Sequence, residues 1–129
     1  MGAQINAVTL GVKDLQESKS FYEGLGASVD KEFPGFVSLK FGDASPDLAL
    51  YPRDGLAAII GVPPDGAGFS GIVLDYNPPG KGRDRVDEVL SQAERAGGKV
   101  VSPAHDAEWG GRVGHFSDPD GNLWQVASY

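Results

Sequence analysis

Short stretches in which apolar and polar residues alternate predict a many-stranded protein. In residues 4–12, Val8, Leu10 and Val12 fall on one side and smaller residues on the other, as in a half-buried strand. The same alternation predicts three more strands in the first half of the chain and two in the second: residues 27–33, 36–41, 48–51, 71–76 and 99–102. A final pair of strands is predicted over residues 109–126.

Two segments follow the period of an α-helix instead. The first begins after Asp14, a favourable N-cap that forms a capping box with Glu17, and it ends at Gly26. The second covers residues 84–96, where apolar side chains recur at helical spacing, and it ends at Gly97-Gly98. Each helix therefore presents one apolar stripe, which suits packing on one face of a sheet.

The order of these elements, β-α-β-β-β, occurs twice. The first module covers about residues 4–62 and the second about residues 68–129, and the connector Pro52–Gly68 contains a helical turn at Leu56–Ile60. The sequence thus predicts a single α+β domain, residues 1–129, in which each helix covers one face of a four-stranded sheet. The uncovered faces either enclose a cavity or are filled by their own side chains.

Composition and charge exclude several classes of protein. The absence of cysteine excludes disulfides, thiolate metal sites and a cysteine nucleophile. The net charge of −7 argues against nucleic-acid binding, which needs a basic surface, and is compatible with cationic small molecules. No apolar run approaches the roughly 18 residues of a membrane span, and the N-terminus has no signal-peptide pattern. We therefore expect a cytoplasmic protein without a nucleic-acid or membrane partner.

The last hairpin contains the most informative turn. In Asp118-Pro119-Asp120-Gly121, the Asp side chains bond nearby backbone groups, Pro presets φ, and Gly tolerates a positive φ. After this turn, Gln125 points to one face of the strand, whereas Trp124 and Val126 point to the other. A turn of this kind can aim the polar Gln125 side chain into a cavity.

The opening segment Val8–Gly26, the closing segment Phe116–Val126 and the tandem plan resemble the vicinal oxygen chelate superfamily. That superfamily includes glyoxalase I, extradiol dioxygenases, fosfomycin-inactivating enzymes and bleomycin-resistance proteins. The resemblance covers essentially the whole chain. It implies two βαβββ modules that form a cupped mixed β-sheet with the helices on its outer face, and commonly a homodimer.

In the metal-dependent members of this superfamily, four side chains, usually His, Glu or Gln, project into the cup from four strands. The resemblance assigns these positions to Ala7, Ala49, Gly71 and Gln125. Alanine and glycine provide no donor atom, whereas a divalent cation needs at least three convergent O or N ligands. Gln125 cannot hold a cation alone, so the chain is predicted to lack the superfamily's metal site, and we expect no cofactor.

Four residues are candidate ligand contacts. The resemblance places His115 where the fosfomycin-inactivating branch often has an aromatic hydroxyl facing the substrate, and an imidazole there can hydrogen-bond a ligand or act as a general base. Gln125 offers a donor and an acceptor. Trp109 offers an aromatic wall, and Tyr51 shares the face of Ala49. All four are also suited to a purely structural role, in strand bonding or packing.

The leading hypothesis is a metal-free protein that binds a small aromatic or cationic molecule in its cup. The alternative is a lyase, isomerase or dioxygenase of the same superfamily. It would use His115 as a metal-independent base, or metal ligands relocated to His115, Gln125 and the loop His105-Asp106-Ala107-Glu108. In a third possibility the cup is filled by its own side chains and the protein acts through its dimer surface.

Overall fold

The chain folds into two units, Met1–Gly68 and Phe69–Tyr129, each built from one sheet and its helices. In the computed structural model the described residues, with Ile60 by its backbone alone, are 7–60, 62–65, 70, 72–78, 80, 82–107 and 109–129. Within these residues there are three helices and eight strands, so the predicted α+β class is confirmed.

The first unit contains four strands and two helices, which are β1 (Ala7–Val12), α1 (Leu15–Leu25), β2 (Ser28–Phe33), β3 (Phe36–Lys40), β4 (Asp47–Pro52) and α2 (Arg53–Ile60). Its sheet has the order β1-β4-β3-β2, in which β1 runs parallel to β4 and the other pairs are antiparallel. Helix α1 packs on β2, β3 and β4.

The ends of α1 follow the predicted capping signals. The Asp14 carboxylate accepts a hydrogen bond from the Glu17 backbone N–H at 3.1 Å, which satisfies one free donor of the first turn. At the other end Gly26 has φ +117°, a left-handed conformation that only glycine adopts readily. Phe21 and Tyr22 are completely buried on the sheet side. The predicted helix and its boundaries are therefore confirmed.

The second unit repeats the same arrangement with five elements, which are β5 (Leu74–Tyr76), α3 (Asp84–Arg95), β6 (Lys99–Asp106), β7 (Arg112–Ser117) and β8 (Leu123–Ser128). Its sheet has the order β5-β8-β7-β6, with β5 parallel to β8. In both units the first strand runs parallel to the last strand, and the remaining strand pairs are antiparallel. The predicted β-α-β-β-β repeat is therefore confirmed.

Helix α3 covers one face of the second sheet. A Cβ atom on Gly114 would lie only 2.7 Å from Leu90 Cδ1, so glycine lets the helix approach β7 closely. Phe116 and Trp124 stack beneath the helix with ring centroids 6.2 Å apart, and both are buried. Because side chains alternate along a strand, the neighbours of these residues point to the opposite face.

Strand β6 is longer than the sequence pattern predicts. It continues to Asp106, where His105 pairs with Val113 and Asp106 with Arg112, so the predicted loop at His105 and Asp106 is wrong. Pro103 is tolerated because β6 is an edge strand and its register with β7 shifts between Ser102 and His105. Cross-strand pairing, which local pattern does not report, extends this strand.

Two other boundaries also differ from prediction. Strand β5 covers three residues from Leu74, whereas residues 71–76 were predicted; Ile72 and Val73 are exposed and lie outside it. The helical turn expected in the connector is a complete helix, α2, which packs on β1 and β4. In the described part of the chain, no helix combines the length and apolar character needed to cross a membrane.

Candidate functional site

The face of the second sheet that points away from α3, here called the far face, carries a line of polar residues. Asp75 on β5 is in register with Gln125 on β8, and Gln125 is in register with His115 on β7. We call these three residues the polar row. Ser102 on β6 is the next residue in register. The row therefore crosses three neighbouring strands at one level of the sheet.

The polar row is joined by two hydrogen bonds. Gln125 Nε2 donates to Asp75 Oδ1 at 2.7 Å, and Gln125 Oε1 lies 2.9 Å from His115 Nε2. Asp75 is exposed, whereas Gln125 and His115 are half-buried. The Gln125 amide thus uses both of its polar groups to connect a carboxylate with an imidazole.

The turn after β7 sets His115 opposite Gln125. The buried Asp118 carboxylate accepts hydrogen bonds from the backbone N–H groups of Asp120 and Asn122, at 2.9 and 2.8 Å. It also accepts one from the Asn122 side chain at 2.8 Å. Gly121 has φ +86° and donates its N–H to the Asp118 carbonyl at 3.0 Å. The predicted turn is confirmed, and it fixes the register of β7 and β8.

An aromatic pair lies toward the other end of the far face. The Trp109 ring fills the space that a Cβ on Gly111 would need, and its edge contacts the Tyr129 ring with centroids 5.1 Å apart. Val113 and Ala127 have the same strand parity as His115, and Gly111 directly precedes β7, two residues before Val113. The far face therefore runs from a polar row, across small apolar residues, to a half-exposed indole.

Tyr51 lies in the first unit. It has the same strand parity as Ala49, as predicted, and its ring contacts Phe36 edge-on with centroids 5.0 Å apart. Phe33 stacks on Phe36 at 6.2 Å, so Tyr51 belongs to a small aromatic cluster. Ser38 on β3 is in register with Ala49. Its hydroxyl is buried and has no hydrogen-bond partner among the described residues.

The superfamily's metal site does not fit the described residues. Ala7 and Ala49 place methyl groups at two of the positions that the resemblance assigns to ligands, and the third, Gly71, lies outside the described residues. At the fourth position both polar groups of the Gln125 amide are already bonded to Asp75 and His115. In the described portion of the chain, no group of three or more His, Cys, Asp or Glu side chains is placed to hold a metal ion.

The proposed relocated ligands are also not brought together. The Asp106 carboxylate pairs with Arg83 and, at 3.1 Å, with Arg112. Arg112 reaches to α3, where its hydrogen bonds lower the pKa of the Asp87 carboxyl. Asp106 is therefore tied to the helix side of the sheet, opposite His115. His105 Nδ1 contacts the Pro103 carbonyl at 2.9 Å, and Glu108 lies outside the described residues.

Asp75 is the member of the site that the sequence analysis missed. A signal was present, because Asp75 is the single charged residue in the apolar run Ile72–Tyr76. Its partner depends on β5 pairing with β8 in parallel, at a register that no local pattern specifies. The sequence analysis did identify His115, Gln125 and Trp109 as candidates.

Comparison with known proteins finds relatives that are similar to this chain in sequence and in structure. The chain is 27% identical over 124 residues to the uncharacterised protein YraH of Bacillus subtilis, covering 92% of this chain and 93% of the relative. A glyoxalase-related enzyme from Fulvimarina pelagi has a structure with a TM-score of 0.82 and 28% identity, covering 98% of this chain and 88% of that one.

A lactoylglutathione lyase from Agrobacterium tumefaciens has a TM-score of 0.70 at 23% identity, covering 98% of this chain and 94% of that one, and this likeness shows the fold alone. A sequence model of the Glyoxalase/Bleomycin resistance protein/Dioxygenase superfamily matches residues 4–126. The chain therefore belongs to the Glyoxalase/Bleomycin resistance protein/Dioxygenase superfamily.

Proposed function

We propose that the protein binds a small aromatic or cationic molecule on the far face of its second unit, without a metal ion. The observation that carries this proposal is that the polar row shares the far face with a Trp109 side chain that is 50% exposed. Ligand sites typically combine apolar and aromatic surface with a few fixed polar groups.

The dimensions of the far face suit an elongated small molecule. His115 and Gly111, which Trp109 covers, are four residues apart along the chain, which spans at most about 13 Å in extended backbone. The residues between them are apolar: Val113 is 9% exposed and Ala127 is half-buried. The negative net charge of the chain favours the approach of cations. A flat aromatic group against Trp109 and a polar group at His115 therefore fit the two ends.

Membership of the superfamily supports a small-molecule role but does not name a ligand. Activities within one fold depend on the side chains of the site. Here the positions that the resemblance assigns to metal ligands are Ala7, Ala49, Gly71 and Gln125, which supports binding without metal. The homodimer, the cytoplasmic location, the single domain and Tyr51 as a further ligand contact remain predictions.

The direct test is a titration monitored by Trp109 fluorescence. We expect phenylbutylamine, an aromatic cation, to change the emission of the wild-type protein in a saturable way, while the buried Trp124 gives a constant background. Trp109→Phe is expected to remove the change. His115→Ala is expected to weaken binding about tenfold, the effect of losing one hydrogen bond of about 1.4 kcal/mol.

Ser91→Ala is the matched control, because Ser91 is an exposed uncharged residue on α3, on the opposite side of the sheet. It should bind phenylbutylamine like the wild type. An unchanged affinity in His115→Ala together with an unchanged signal in Trp109→Phe would contradict binding on the far face.

Metal content separates this proposal from a metal-dependent lyase or dioxygenase. We expect protein purified without chelator, then incubated with Zn²⁺, Mn²⁺, Fe²⁺ or Ni²⁺ and dialysed, to retain far less than one metal ion per chain by elemental analysis. Ala7 and Ala49 supply no ligand atoms, so affinity should be low. Near-stoichiometric retention would overturn the assignment of the ligand positions and favour the enzymatic alternative.

A metal-independent enzyme is the second candidate, and the orientation of His115 favours it. One imidazole nitrogen is held by Gln125, and in the described residues the other, Nδ1, has no hydrogen-bond partner. A fixed imidazole with one free nitrogen is the arrangement of a general base. Turnover of a bound ligand that disappears in His115→Ala would support this candidate over simple binding.

A further inference from the structure

We propose that Asp75 is a positioning residue that orients the Gln125 amide and thereby determines which nitrogen of His115 carries the proton. As a result, the far face would select ligands that donate a hydrogen bond, with an ammonium group joined to an aromatic ring as the best fit. The ligand class rests on the proposed function, whereas the orientation of His115 is a property of the unliganded protein.

The first step concerns the amide of Gln125. An ionised carboxylate can only accept hydrogen bonds, whereas an amide has a donating NH₂ and an accepting oxygen. The group that lies 2.7 Å from Asp75 Oδ1 must therefore be the NH₂ of Gln125. The reverse orientation would place two oxygen atoms in contact. The hydrogen-bonding chemistry of Asp75 thus fixes the direction of the Gln125 amide.

The second step concerns His115. With its NH₂ toward Asp75, Gln125 presents its oxygen to the imidazole, 2.9 Å from His115 Nε2. An amide oxygen only accepts, so Nε2 must carry the proton. In the neutral ring the other nitrogen, Nδ1, is then unprotonated and accepts hydrogen bonds. No described residue hydrogen-bonds to Nδ1, which leaves it available to a ligand.

The third step concerns the ligand. A donor such as an ammonium or a phenol satisfies Nδ1, and the negative charge of Asp75 at the end of the row favours a cation. A carboxylate of equal length would meet an acceptor at Nδ1, with the like charge of Asp75 two strands away, and such unfavourable pairing is a common source of specificity. The apolar Val113 and Ala127 and the Trp109–Tyr129 pair then accommodate an apolar linker and a ring.

His105 provides an internal contrast. Its Nδ1 lies 2.9 Å from the Pro103 carbonyl oxygen, which can only accept, so Nδ1 must carry the proton there. The chain has two histidines. The two are therefore expected to be opposite tautomers, His105 protonated on Nδ1 and His115 on Nε2. This difference is measurable by nitrogen NMR of histidine-labelled protein.

The decisive variant is Asp75→Asn, which preserves the shape of the side chain. An asparagine amide both donates and accepts, so Gln125 becomes free to turn and can offer its NH₂ to His115. We expect the single Nε2–H tautomer of His115 in the wild type to become a mixture with Nδ1–H in Asp75→Asn. The His105 signals should not change. His115→Ala assigns the spectra.

Asp65→Asn makes the same charge change at an exposed position of the first unit and should leave the His115 tautomer unchanged. Identical His115 signals in wild type and Asp75→Asn would overturn the positioning role, as would a wild-type His115 protonated on Nδ1.

Three compounds of equal length test the ligand class: phenylbutylamine, phenylbutanol and phenylbutyrate. We expect affinity in that order, with the amine binding at least tenfold more tightly than the carboxylate. Asp75→Asn should reduce this preference several-fold, and Asp65→Asn should reduce it much less. Equal or tighter binding of phenylbutyrate would overturn the ligand class. Failure of all three to bind, with the tautomers as expected, would reject the proposed function while confirming the role of Asp75.

Discussion

Replacing Phe116 by alanine is expected to lower the free energy of unfolding by about 3–5 kcal/mol, the usual cost of removing a buried phenylalanine ring. Phe116 is 0% exposed and stacks on Trp124 between α3 and the second sheet. The cavity would lie where Gly114 lets Leu90 approach β7, and this closely packed region can collapse only partly. Denaturant unfolding followed by circular dichroism measures the change.

Val101→Ala is the control, because Val101 is 55% exposed and its truncation should change stability by less than about 0.5 kcal/mol. A Phe116→Ala effect as small as that of Val101→Ala would mean that α3 does not pack on this face. In that case the assignment of His115 and Gln125 to the opposite, far face would fail as well. The stability measurement therefore also tests the geometry of the candidate site.

Local signals in the sequence were sufficient for several parts of the fold. The Asp14 cap and the Gly26 stop define α1 because both act within one helical turn of the residues that they terminate. Strand alternation places Gln125 and Trp124 on opposite faces, and the Asp118 turn fixes the residues of β7 that they oppose. These predictions depended on contacts between residues close together in the chain.

Features that depend on distant pairing were not predictable in this way. The length of β6 depends on β7, which it meets after an intervening loop, and Pro103 made a strand there appear unfavourable. Asp75 becomes part of the polar row only because β5 lies parallel to β8, fifty residues further along the chain. Such parallel neighbours leave no periodic signal in either strand alone.

Superfamily membership and site chemistry are separate questions in this protein. The motifs around Val8–Gly26 and Phe116–Val126 resemble the superfamily because they shape helix caps and turns, which the fold requires. Ala7 and Ala49 lie outside those caps and turns, so the residues at these two positions can differ without a change of fold. The polar row of Asp75, Gln125 and His115 differs from the ligand set that the resemblance assigns, because all three of its residues belong to the second unit.

Asp118→Ala is expected to lower the free energy of unfolding by about 2–4 kcal/mol and to disturb the polar row as well. The buried carboxylate accepts three hydrogen bonds from Asp120 and Asn122, and hydrogen bonds to charged groups contribute about 1.5–3 kcal/mol each, part of which water recovers in the variant. Without them the β7–β8 turn has less to fix its register, and His115 is less firmly held opposite Gln125.

Three measurements distinguish this role from a general loss of stability. Asp118→Asn retains an oxygen for the two backbone donors but turns its amide NH₂ toward the NH₂ of the Asn122 side chain. Its loss of unfolding free energy should therefore lie between zero and that of Asp118→Ala. Asp65→Ala, an exposed change of the same charge, should have little effect. Faster amide hydrogen exchange in Asp118→Ala should concentrate in β7 and β8. Uniformly faster exchange across both units, α1 included, would contradict a local role, because a turn that fixes one hairpin register acts first on the strands that it joins.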